Sequence, residues 1–159
     1  MNAGLSGETS AGAIRRAGWV LDQPAAAVIL EVGANDGLRG VDPDSTYANL
    51  VALIAAVKHQ QPNAKTLLVQ MEAPTNLGRD YTMRFHAAYL RAAKVANVPL
   101  LPFLLQSVAG DPRLNQGDGI HPNIEGSKIV ANTMWSAMLP LFTELNASQS
   151  TSTISPKTP

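Results

Sequence analysis

Asp118-Gly119-Ile120-His121-Pro122 places a carboxylate three residues before an imidazole on a tight loop. At that spacing the carboxylate can accept the imidazole Nδ1 proton, which fixes the tautomer and leaves Nε2 free as a base. A solvated loop pair has the same sequence, so both readings stand at this point. Gly33-Ala34-Asn35 follows a strand-like run and puts a carboxamide where its N–H donors can meet a developing oxyanion, or where it closes a turn. Leu5-Ser6-Gly7-Glu8-Thr9-Ser10 leads into a helix start. Backbone N–H groups there can hold negative charge, and an ordinary N-cap with Glu8 near the positive helix end reads equally well. Ser6 adjoins Gly7 on this segment, and Ser10 lies three residues beyond it. His59 and His86 fall on helical stretches without metal-ligand spacing and read as surface or boundary residues, so no metal is expected. No glycine pattern suits a phosphate loop, and Asp36, Arg39 and Glu72 are expected to form structural ion pairs at the mouth of the sheet.

The elements that must position these residues alternate. A helix is expected from Thr9 to Pro24, with Ile14, Trp19, Val20 and Leu21 toward one side and Thr9 or Ser10 as cap. The apolar run from Ala25 to Gly33 predicts a strand buried on both faces of a parallel sheet. Leu50, Leu53, Ile54 and Val57 fall at helical spacing between Thr46 and Gln60. A second strand is expected over Thr66 to Met71, a helix over Tyr81 to Asn97, and a third strand over Val98 to Phe103, whose two prolines favour an edge. A long loop then runs from Ala109 to Pro122, before a last helix from Ile124 to about Leu145. The pattern is α/β with a parallel sheet, where sites gather at the carboxyl ends of strands.

The chain has 159 residues, enough for one domain. Twelve basic residues balance twelve acidic ones without a basic run, which disfavours nucleic acid as a partner. There is no cysteine, so disulfides, thiolate metal sites and cysteine nucleophiles are excluded. No stretch of 18 apolar residues is present to span a bilayer as a helix, and no signal peptide opens the sequence as written, which places the protein in the cytoplasm by default. The Ser/Thr-rich segment 146–159 reads as a flexible tail behind a domain of residues 1–145.

Three segments in order, NAGLSGETSAG, VILEVGANDGLRG and GDGIHPNIEG, together resemble the SGNH (GDSL) hydrolase family, nearest its bacterial thioesterase I/lysophospholipase/arylesterase group. The resemblance runs from Met1 to about Leu145. It implies a flavodoxin-like three-layer sandwich, a carboxylic ester as small-molecule substrate, no cofactor, and an oxyanion hole from the Gly7 N–H and the Asn35 carboxamide. It further implies His121 as base and Asp118 as its orienting acid. Many members of the group are exported. The family's serine nucleophile lies in a Gly-Asp-Ser-Leu segment that has no match here. The expectation is a fold shortened at its N-terminus, by an internal start or a truncated clone, that lacks the first strand and most of the second. Ser6 is then the candidate substitute nucleophile, Ser10 the second choice, and water activated by His121 the third route. The strand near Ala25 to Val32 is expected to lie at an edge and to pair with another copy of the chain, or an N-terminal segment to be exchanged. The alternative function is an inactive remnant that self-associates or binds a ligand.

Overall fold

The computed structural model describes residues 1–152 and divides into two compact units, 1–103 and 104 onward. The first unit is α/β. Its parallel sheet has the order β1-β2-β3, with β1 at Ala27–Leu30, β2 at Lys65–Val69 and β3 at Leu100–Leu101. Ala27 stands opposite Lys65 and Leu30 opposite Leu68, while Leu68 and Val69 stand opposite Leu100 and Leu101. Four α-helices belong to this unit, α1 (Ser10–Val20), α2 (Ala34–Leu38), α3 (Pro43–Gln60) and α4 (Arg79–Ala96), with a 3-10 turn at Thr75–Leu77. Helix α3 packs against both α1 and α4.

The local causes are legible. Asp42 caps α3 by accepting from the Ser45 N–H at 3.1 Å, and Pro43 in the first turn supplies a fixed φ without a wasted donor. The expected stripe of Leu50, Leu53, Ile54 and Val57 is buried, and it faces the same core as Phe85, Ala88, Tyr89 and Ala92 of α4. Phe85 and Tyr89 touch with ring centroids 5.4 Å apart. Asn97, in the left-handed region at φ 48°, ends α4. The prolines at 99 and 102 confine β3 to two residues, since neither can donate to a ladder.

Three expectations change. Thr9 does cap α1, accepting from the Gly12 N–H, but the helix buries Ser10 and Ala17 while Trp19 is 80% exposed. A polar hydroxyl with a buried partner outranks an indole as the anchor of this helix. Strand β1 is shorter than the apolar run and is not buried on both faces: Ala27 and Val28 are partly exposed and Ile29 is exposed. It occupies an edge of the described sheet, paired with β2 alone. Asp36, Arg39 and Glu72 do not pair with one another. Each finds its own partner, described below.

The second unit consists of turns over 104–123 and helix α5 (Ile124–Ser152). This helix runs past residue 145, where the sequence places the start of a flexible tail. Residues 153–159 of that expected tail lie outside the described residues. Among the described residues no helix is long and apolar enough to cross a membrane.

Candidate active site

In the second unit, Asp118 and His121 meet. The His121 Nδ1 lies 2.6 Å from Asp118 Oδ2, while Asp118 Oδ1 accepts the N–H groups of Ile120 at 2.9 Å and His121 at 3.0 Å. The His121 backbone N–H, then its imidazole, then the Ile120 N–H hold the Asp118 carboxyl well below the usual carboxylate range. An ionised carboxylate only accepts hydrogen bonds, so Nδ1 carries the proton and neutral imidazole keeps its Nε2 lone pair. Nε2 makes no hydrogen bond to any described residue. The pair is open to solvent, with 66% of the His121 side chain exposed.

The loop that carries this pair is closed by its own chain. Asn115 and Pro122 form an isolated antiparallel bridge, and the Gln116 N–H donates to the His121 carbonyl at 2.7 Å. Asn115 is buried and donates both amide hydrogens, to the carbonyls of Val108 at 2.7 Å and Asp111 at 2.8 Å. Arg113 reaches back to Asp111 in a forked pair that lowers the Asp111 carboxyl to about 2.

In the first unit, the expected oxyanion donors lie on neighbouring segments. The Glu8 N–H donates to the Leu5 carbonyl at 3.2 Å, closing a turn in which Gly7 takes φ +75°. The Gly7 N–H makes no hydrogen bond to any described residue. Asn35, in the first turn of α2, donates one amide hydrogen to the Glu8 carbonyl at 3.1 Å, which ties the carboxamide to the Gly7 turn and leaves its second hydrogen available. Two arginines hold the turn. Arg39 donates to the Gly7 carbonyl at 2.9 Å, and Arg16 donates to the Ala3 carbonyl and grips both Glu8 oxygens at 2.6–2.7 Å. The Arg16 hydrogen bond, opposed by burial, lowers the Glu8 carboxyl.

The two serines differ. Ser6 is exposed within the Gly7 turn. Ser10 is fully buried: its hydroxyl donates to the Asp36 carboxylate and accepts from Asn49 Nδ2 at 2.9 Å, and its N–H donates to Asp36 Oδ2 at 2.8 Å. Ser10 and Asp36 therefore anchor α1 to α2 from the inside. His86 lies exposed on α4, as its helical setting implies, and pairs there with Glu72, Oε1 to Nδ1 at 2.7 Å. Their separation by 14 positions leaves no local motif by which the sequence shows this pair. Asn115 and Asn123 bind the Asp118/His121 loop together through backbone carbonyls, partners that residue type alone does not reveal.

A family model described as the GDSL-like Lipase/Acylhydrolase family matches residues 1–129. Thioesterase 1/protease 1/lysophospholipase L1 of Escherichia coli strain K12 is 40% identical over 142 residues, covering 89% of this chain and 67% of that protein. Esterase TesA of Pseudomonas aeruginosa is 36% identical over 143 residues, which cover 89% of this chain and 70% of that one. Among solved structures, the psychrotrophic esterase EstA from Pseudoalteromonas sp., inhibited by monoethylphosphonate, is similar with a TM-score of 0.84 and 33% identity. That match covers 90% of this chain and 78% of EstA.

Proposed function

We propose that this chain, which belongs to the GDSL-like lipase/acylhydrolase family, hydrolyses short-chain or aryl carboxylic esters with His121 as general base. The observation that carries the reading is the Asp118 carboxylate held ionised against His121 Nδ1, with Nε2 unengaged. The named relatives, a thioesterase/lysophospholipase and two esterases, support the ester class. In this reading His121 Nε2 takes a proton from the attacking hydroxyl as its oxygen bonds to the ester carbonyl carbon. The Gly7 N–H and the Asn35 carboxamide donate to the resulting oxyanion. Collapse expels the alkoxide, which receives the proton from His121 and leaves as the alcohol. With serine as nucleophile, water then repeats the sequence on the acyl-serine to release the acid; with water as nucleophile, the acid forms directly.

Ser6 is the nucleophile we propose, because its hydroxyl is exposed beside the Gly7 donor. Ser10 ranks behind it, because burial and the Asp36 bond remove its hydroxyl from any ester. Attack by Ser6 requires its hydroxyl within about 3 Å of His121 Nε2. Without a serine, an oxyanion hole and binding alone still give roughly 10³ to 10⁴-fold over water. The decisive experiment treats the purified protein with a fluorophosphonate, locates the adduct by peptide mass spectrometry, and assays p-nitrophenyl acetate in parallel. We expect an adduct on Ser6 that disappears in His121→Ala together with hydrolysis. Hydrolysis without an adduct would transfer the role to water, and the absence of both hydrolysis and adduct would refute the enzyme.

One observation favours a second reading, a self-associating module. Strand β1 lies at an edge of the described sheet with Ile29 exposed and no lysine or proline from Ala26 to Val32. Such edges pair with other chains. We propose a homo-oligomer through Ala25 to Val32, or by exchange of an N-terminal segment. Light scattering across protein concentration checks it: a mass fixed at that of one chain rejects the association.

A further inference from the structure

Asp118 stands at the tip, and His121 at the head of the second stem, of a loop whose stems are residues 113–116 and 121–123, joined by the Asn115–Pro122 bridge. One side chain spans both stems. Asn123 donates through Nδ2 to the carbonyls of Arg113 at 2.7 Å and Asn115 at 3.3 Å, and its backbone N–H donates to the Leu114 carbonyl at 2.9 Å. Its Oδ1 meanwhile accepts from the Gly126 N–H at 3.0 Å, in the first turn of α5. An ordinary N-cap uses only the acceptor, and aspartate or serine fills that role as well as asparagine. Here both amide hydrogens are engaged too, and of these three residues only asparagine offers an acceptor oxygen together with two N–H donors on a separate atom.

We infer that Asn123 is a positioning residue for His121: it fixes the stems of the loop to the start of α5 and so holds the imidazole where a base must stand. The kinetic part of this inference rests on His121 being the base; the structural part does not. Misplacing a catalytic group by about 1 Å can cost on the order of 100-fold in rate. The stems set the imidazole's place because Gln116, on one stem, binds the carbonyl of His121 itself.

Asn123→Asp separates capping from positioning. It keeps an oxygen for the Gly126 N–H and adds a negative charge, which a helix N-terminus favours. It also turns an oxygen, in place of two N–H donors, toward the carbonyls of Arg113 and Asn115. The expected result is an unchanged or raised thermal midpoint with kcat for p-nitrophenyl acetate down about tenfold or more and KM little altered. The downfield proton of the Asp118/His121 hydrogen bond should weaken in NMR spectra, and diethylpyrocarbonate should modify His121 faster. Asn123→Ser, which caps but is too short to reach the carbonyls, should behave alike and decides the question if the aspartate variant does not fold. Parent-like kcat and an unchanged imidazole proton in either folded variant would overturn the inference. If the parent hydrolyses no ester, the ester-hydrolase reading fails separately, and the imidazole proton still decides: weakened in the variants sustains positioning, unchanged rejects it.

Discussion

The loop carrying Gly7 and the loop carrying His121 are held by opposite means. Around Gly7, restraint comes from outside: Arg16 from α1 and Arg39 from just beyond α2 reach in to bind loop carbonyls and Glu8, and Asn35 adds a third tie. Around His121, restraint comes from within, through Asn115, Asn123, a backbone bridge and Asp118 folded onto two N–H groups. Long, charged, solvent-touching side chains make a brace that can loosen without unfolding its surroundings. Short amides bonded to backbone make one that is geometrically stiff. On the function proposed above, an oxyanion donor needs only to point at a charge, whereas a base must keep both tautomer and direction, and the stiffer loop is the one that would carry the base.

The comparison breaks most sharply at glycine. A Cβ on Gly126 would stand 2.1 Å from the Leu114 carbonyl oxygen and 3.0 Å from Val108, so the first turn of α5 lies directly on the His121 loop only because no side chain intervenes. Gly126→Ala must push helix and loop apart at a cost of about 3 kcal/mol. The amides of Gln116, Gly119 and His121 should then lose protection from hydrogen exchange, while those of α3 and α4 keep theirs. At Gly7 there is room, since the nearest atom to a Cβ is Arg39 Nη2 at 3.6 Å, and the cost lies in φ +75°. Gly7→Ala should therefore cost less, about 1–2 kcal/mol, from left-handed backbone strain alone. A larger loss of thermal stability in Gly7→Ala than in Gly126→Ala would reverse this ranking.

The same contrast explains what was legible in sequence. The α/β class, the paired strands and the two long helices of the first unit were readable because apolar spacing reports burial, as at Leu50, Leu53, Ile54 and Val57. Asp118 and His121 were readable because their partnership is local, three residues apart. What escaped was held by contacts distant in sequence: Ser10 with Asp36 across 26 residues, Arg39 with Gly7 across 32, Glu72 with His86 across 14. Trp19 misled for the same reason, since its apolar type says nothing of the buried Ser10–Asp36 anchor that turns α1 the other way. Helix α3 begins three residues before its expected start because Asp42 caps it and Pro43 fixes its first turn.

A smaller effect sharpens the comparison through the two arginines that grip a carboxylate near each loop. Arg16 is mostly covered and binds Glu8 and the Ala3 carbonyl, so Arg16→Ala should destabilise by about 1 kcal/mol and expose the amides of residues 3–8 to exchange. The Arg113 side chain is 86% exposed, and among the described residues its guanidinium binds only Asp111, two positions away. Arg113→Ala should leave stability unchanged by calorimetry, because the asparagines and not the ion pair close that loop. Equal losses in the two variants would remove the distinction between outer and inner bracing.

The smallest effect is the order in which acid loosens the loops. Glu8 and Asp118 both have lowered carboxyl pKa values, Glu8 chiefly through the Arg16 hydrogen bond and Asp118 chiefly through the His121 N–H and imidazole. A carboxyl lowered on folding contributes stability that is fully present above its unfolded value, near pH 4, and is lost as pH falls through the folded value. The Asp118 displacement is the large one, so its window of loss lies at the lower pH. In an NMR titration downward from pH 5, the Arg16 Nε–H signal should broaden first, while the Ile120 and His121 amides hold their shifts and protection to lower pH. The reverse order would mean that the carboxylate inside the His121 loop is the weaker brace, and the stiffness assigned to that loop would have to come from Asn115 and Asn123 alone.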